Sequence, residues 1–187
     1  VGKIFGSKDE INSLADQFNK MTASLQQKKT YDELTAYLAA KFMNVPISEM
    51  NKAIQDALLR MGELFEVDRT YIFEFANNGE TMNNTYEWCA ENIDPQIDNL
   101  QDLPTSIFPW WMTFLKRGET IIIGHVADMP SEASAEHEIL AEQGIKSVLV
   151  MPMVTHFGLF GFLGFDSVVH ERNWTTEESN LLTVLAG

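Results

Sequence analysis

DRTYIFEFANNGETMNNTYEWCAEN, residues 68–92, decides the fold. Asp68 to Phe75 is rich in β-branched and aromatic residues and reads as a strand. Asn77-Asn78-Gly79 is a hairpin turn of the kind that needs positive φ, and Thr81 to Asn92 is the returning strand. A tight hairpin commits the chain to antiparallel pairing, and a second hairpin downstream repeats the pattern. There "IKSVLVMPMV" and "GLFGFLGFDS" flank a turn from Thr155 to Gly158.

Helical segments alternate with these strands. Before the first hairpin, Met50, Ile54, Ala57, Leu58, Met61, Leu64 and Phe65 fall on one helical face, with Ser48 placed to cap its start. Between the hairpins come a loop bracketed by Pro104 and Pro109 and a short helix, "PWWMTFLKRG", with Pro first and Gly last. A short strand "TIIIGHV" follows, then an acidic helix from Ser131 to Gln143 closed by Gly144. Thr175 and Glu178 form a capping box at the start of a last helix. This order predicts an α+β domain: a mainly antiparallel sheet with helices over both faces. Gly158, Gly161 and Gly164 are three apart, but no Gly-Lys-Ser/Thr and no helix follows, so they read as points of close backbone approach rather than a phosphate loop.

The N-terminal region has a different character. Ile11, Leu14, Phe18 and Met21 form a narrow apolar stripe that calls for partner helices, and Ser7 with Glu10 reads as a capping box. The stripe passes Leu25, meets the polar patch Gln26 to Thr30 with Lys28 at a seam position, and resumes at Tyr31, Leu34, Leu38 and Phe42. From Met21 the spacings equal a three-residue insertion in the heptad, a phase break that locally overwinds a coil. A surface helix with a solvated middle and a long parallel signalling helix both fit this pattern. The charge distribution marks the same boundary. Residues 1–43 carry six Lys and five acidic residues, whereas residues 44–187 carry seven Lys or Arg against 22 Asp or Glu. So acidic a body repels phosphates, which excludes non-specific nucleic-acid binding. A single Cys, Cys89, excludes an internal disulfide, fits a reducing compartment, and reads as a small buried hydrophobe. The sequence contains no apolar run long enough to span a membrane. It starts at Val1 and ends in helix-like Leu185-Ala186-Gly187, which is expected of a fragment.

"DRTYIFEF", "NTYEWCAENIDPQIDNLQ", "PWW", "HVADMP", "GIKSVLVMPM", "GFLGFDS" and Trp174 together resemble a GAF domain of bacterial sensor proteins, from Ile47 to Gly187. "DEINSLADQFNKM" resembles the second helix of a HAMP module, with Asp9-Glu10 at its usual start. The resemblances imply three parts: the end of a HAMP module over 1–25, a coiled-coil linker helix over 26–46, and a GAF sensor over 47–187 built on a six-stranded antiparallel sheet. They imply the cytoplasmic portion of an inner-membrane signalling protein, joined to the membrane only through an upstream segment, with a histidine kinase or diguanylate cyclase output downstream. The chain is expected to form a homodimer through its N-terminal helix and to relay a signal through its flanking helices. It does so either by binding a small molecule or as a ligand-free relay.

The resemblance places the ligand site beneath the crossing segment. Tyr71, Phe73 and Trp88 would lie on strands, Phe108, Trp110 and Trp111 above them, and Asp128 on a loop near the ligand. Aromatic clusters also serve as ordinary core, and an Asp before Met129-Pro130 also serves as a turn cap. The bilin-binding branch holds its chromophore through a Cys near the crossing loop, and this chain has none between Ala90 and Gly187, so no bilin is expected. The cyclic-nucleotide signature is absent, and the branch that reduces methionine sulfoxide needs several cysteines. No metal is expected, because His125, His137, His156 and His170 are scattered. Glu132, Glu136 and His137 read as an acidic solvated face. No nucleophile is paired with a base, so no catalytic residue is assigned.

Overall fold

A computed structural model describes residues 7–186, with side chains over 10–182. The Ser7–Glu10 capping box and the Asp9 start of the HAMP-like segment lie outside the described side chains. The chain divides into two compact units, Val1–Val45 and Pro46–Gly187. In the first, α1 (Ser7–Asn44) is one unbroken helix, so the polar patch at Gln26 to Thr30 interrupts the stripe but not the backbone. Ile11, Leu14, Phe18, Met21 and Leu25 are each between 54% and 67% exposed. None of the described helices is long and apolar enough to cross a membrane.

The second unit begins with a 3-10 turn, Ile47–Glu49, that leads into α2 (Met50–Phe65). The expected Ser48 cap is not made: Glu49 occupies the cap position and no side chain bonds there. Ser48 lies inside the 3-10 turn, whose own backbone bond from Glu49 N to Pro46 O sets the entry. β1 (Arg69–Ala76) and β2 (Thr81–Cys89) form the first hairpin, and Asn77, Asn78 and Gly79 all have positive φ as the turn requires. β2 ends three residues earlier than the sequence suggests. β3 (Leu103–Pro104) pairs with the start of β2, followed by α3 (Pro109–Leu115) with Pro109 in its first turn. β4 (Ile121–Ile123), α4 (Ser134–Glu142), β5 (Ser147–Thr155), β6 (Gly158–Ser167) and α5 (Thr176–Ala186) complete the chain. The Thr175–Glu178 capping box is formed: Thr175 N–H donates to Glu178 Oε2 at 2.7 Å and Glu178 N–H to Thr175 Oγ1 at 3.1 Å.

The six strands make one antiparallel sheet in the order β3-β2-β1-β6-β5-β4, so both hairpins lie at its centre and both edges are very short. Helices cover both faces, as the element order predicts. On one face α2 lies over β1 and β2, with Phe65 edge-on to Phe165 of β6 at 5.8 Å, and α5 packs on β5. On the other, Trp111, Met112 and Leu115 of α3 and Leu140 of α4 close the main core over Tyr71, Phe73, Val148, Val150 and Phe162. Two of the β6 glycines are close approaches: a Cβ on Gly164 would enter the Tyr71 ring, and one on Gly161 would strike the Phe73 carbonyl oxygen.

Candidate functional site

Alternation along β1 sends Arg69, Tyr71 and Phe73 to the face beneath α3 and α4, and Thr70 and Ile72 to the face beneath α2. Arg69 is buried, and both of its terminal guanidinium nitrogens are hydrogen-bonded. Its Nη1 donates to Asp166 Oδ2 and to Gln143 Oε1, both at 3.3 Å, and its Nη2 to the Asp94 carbonyl at 3.3 Å. Its Nε lies 3.7 Å from Glu87 Oε1. Glu87 Oε2 in turn accepts the backbone N–H groups of Gln96 and Ile97 at 2.8 and 3.0 Å. The Tyr71 hydroxyl donates to Asp166 Oδ1 at 2.8 Å, reaching it across the gap that Gly164 leaves. Burial pushes the Asp166 carboxyl up to about 7 despite the opposing pull of Arg69 and the Tyr71 hydrogen bond. Burial, reinforced by the Asp166 charge, holds the Tyr71 phenol well above its ordinary range. The Cys89 thiol is pushed up to about 11 by burial and by Glu87, so it stays protonated and weakly nucleophilic at neutral pH.

This polar cluster closes one end of a cavity of about 50 Å3 between the sheet and the α3–α4 segment. Tyr71, Phe73, Met82, Leu103, Phe108 and Phe162 supply its apolar wall, with Phe73 stacked on Phe162 at 4.8 Å. Trp111 and Glu136 line it from the helical side, and Glu136 Oε1 accepts the Trp111 backbone N–H at 3.0 Å. A more open polar cleft of about 470 Å3 shares Arg69 and Gln143 with it. Among the described residues, no three His, Cys, Asp or Glu side chains converge as a metal site.

Of the seven residues named from sequence, Tyr71, Phe73, Phe108 and Trp111 line the cavity. Trp88, Trp110 and Asp128 do not. Trp88 pairs with Thr70 and packs against Gly62 of α2 on the opposite face. Trp110 packs on Phe114, ring centroids 4.6 Å apart, and Asp128 is exposed in the 3-10 turn Val126–Asp128. The placement of Trp88 follows from a bulge between Ile72 and Phe73 in the β1–β2 pairing. Below it Phe75 faces Met82, whereas above it Tyr71 faces Glu87, so the residues of β2 that reach the cavity change parity. Glu136 is also not the solvated residue expected: it is 1% exposed. Sequence reasoning missed Arg69, Glu87, Glu136 and Asp166. The available signal was charge in apolar settings, with Asp166 following the apolar run of β6, Arg69 opening the aromatic-rich β1, and Glu136 three residues after Ala133 and four before Leu140.

The profile of the GAF domain matches residues 49–187. The chain belongs to the GAF domain family. It is 38% identical over 161 residues to the methanogenesis regulatory histidine kinase FilI of Methanothrix harundinacea, covering 82% of this chain and 18% of that protein. It is 25% identical over 175 residues to the circadian input-output histidine kinase CikA of Thermosynechococcus vestitus, covering 89% of this chain and 23% of that one. The chain thus spans about a fifth of the length of these relatives. Among solved structures it resembles a phycocyanobilin-bound GAF domain from a cyanobacterial phytochrome (TM-score 0.67, 20% identity, covering 86% of this chain and 89% of that one). It also resembles the dark state of JSC1_58120g3 with bound biliverdin (TM-score 0.66, 15% identity, covering 82% and 93%). These neighbours are bilin-bound GAF domains, which overturns the expectation, drawn from the missing Cys, that no bilin goes with this chain. The lack of a Cys between Ala90 and Gly187 bears only on a covalent tether.

Proposed function

We propose that this chain is a ligand-sensing segment of a histidine-kinase-type signalling protein. It binds a small molecule between the sheet and the α3–α4 cover and passes the change of occupancy to its flanking helices. The observation that carries the reading is the cavity itself, apolar along one wall and lined by buried charged groups, in a fold shared with a phycocyanobilin-bound GAF domain. The histidine-kinase relatives support the context. In this reading residues 1–25 continue a HAMP module on the cytoplasmic side of a membrane, and α1 pairs with a second copy. The exposed apolar stripe of α1 also favours a second reading, a dimeric relay with an unfilled cavity.

Thermal unfolding of the 187-residue chain against a panel of small amines, carboxylates, nucleotides and linear tetrapyrroles separates the two. A ligand present at a hundredfold excess over its Kd is expected to add about 2.7 kcal/mol of stability. A melting temperature that moves with no member of the panel leaves the relay.

A further inference from the structure

Three of the four buried side-chain polar atoms without a partner among the described residues, Arg69 Nε, Trp111 Nε1 and Glu136 Oε2, belong to residues that line the cavity between the sheet and the α3–α4 segment. Arg69 Nε still faces Glu87 Oε1 at 3.7 Å as an ion pair. Glu136 has no such compensation: its Oε1 holds the Trp111 backbone N–H, and Oε2 has no donor although the residue is 1% exposed. An unpaired oxygen on a buried carboxylate is costly, and a donor that enters the cavity removes that cost. The lining carries three carboxylates, Glu87, Glu136 and Asp166, against one guanidinium, Arg69, which is already committed to Glu87 and Asp166. The field in the cavity is therefore negative, inside a chain of net charge -14.

We propose that Glu136 is the anchor of the ligand site and that the site takes a small organic cation, an ammonium head on a short apolar body. This rests on the sensor reading above and names its ligand class. The ammonium donates to Glu136 Oε2, and the apolar body lies along Phe73, Phe108 and Phe162. The cavity of about 50 Å3 sets the size: at roughly 10–15 Å3 for each water-sized group it admits three to five non-hydrogen atoms beyond the mouth.

The test uses n-butylammonium, n-butanol and butyrate, which share a chain and differ in charge, titrated calorimetrically into the 187-residue protein at pH 8. Butylammonium is expected to bind more tightly than butanol, and butyrate not to bind. Glu136→Gln keeps the oxygen that accepts from Trp111 and should weaken butylammonium by roughly tenfold to a hundredfold. The comparison of the three probes on the unaltered protein stands even if that variant does not fold. Butanol or butyrate binding as well as the amine, or a folded Glu136→Gln chain that binds the amine unchanged, overturns the cation assignment and leaves the sensor reading intact. No binding by any of the three also overturns it, and the sensor reading is then decided by the wider panel.

Discussion

Asp166 sits among Arg69, Tyr71 and Glu87 with its carboxyl raised from 3.8 to about 7, burial outweighing the attraction of Arg69. The folded state therefore keeps a proton that the unfolded chain releases. That contribution to stability is fully present below pH 3.8, falls as pH rises, and is gone above about pH 7. At 1.36 kcal/mol for each unit, the whole span is on the order of 4 kcal/mol. Asp166→Asn keeps an oxygen for the Tyr71 hydroxyl and cannot ionise. Urea unfolding from pH 3.5 to 8 should show wild type losing stability relative to this variant across the middle of that range, with a constant difference above about pH 7.5. Parallel curves for the two proteins would assign the titration elsewhere. Individual residues were the least legible level of the sequence. Tyr71, Phe73, Phe108 and Trp111 were found through the resemblance to a GAF domain, which puts the crossing segment over the sheet face. Trp88 was misplaced because one extra residue in β2 inverts parity, and a bulge leaves no mark in composition.

Elements were far more legible, because hydrophobic period and turn chemistry are local. Both hairpins, the Pro109 start of α3, Gly144 after α4 and the Thr175–Glu178 box are all present. What escaped was anything decided by contact between elements, and Arg172 is the clearest case. Its Nη1 donates to the Phe65 carbonyl at the end of α2, and its Nη2 to Glu178 Oε1 in the first turn of α5 at 2.6 Å. Its guanidinium also lies 4.3 Å from the centroid of the Trp174 ring. One planar fork thus satisfies an orphan helix carbonyl and joins two helices of the same face. Arg172→Ala should cost roughly 2–4 kcal/mol, since it also strands the buried Glu178 carboxylate, and Arg172→Lys should restore less than half. Chemical denaturation reads both. A loss under 1 kcal/mol for the Ala variant would mean that α2 and α5 are held by apolar packing alone.

At the scale of the whole molecule, our proposal pairs copies through α1. α1 displays Ile11, Leu14, Phe18, Met21 and Leu25 in one line, and in our proposal a second copy covers them. Leu14→Glu places a charge in that seam and should leave the protein monomeric in sedimentation equilibrium, whereas Lys28→Leu should tighten the pair. A wild-type chain that sediments as a monomer at high concentration removes the pairing. The sheet edges bear on the same question. β3 is two residues long and β4 three, so the outermost strands expose only a few free amides and carbonyls. A longer bare strand would let copies zip together edge to edge and pile up without limit, and a signalling protein so joined would lose its response in an aggregate. Rims this short offer little for a backbone ladder to build on, and in our proposal the copies meet instead by side chains that can part again.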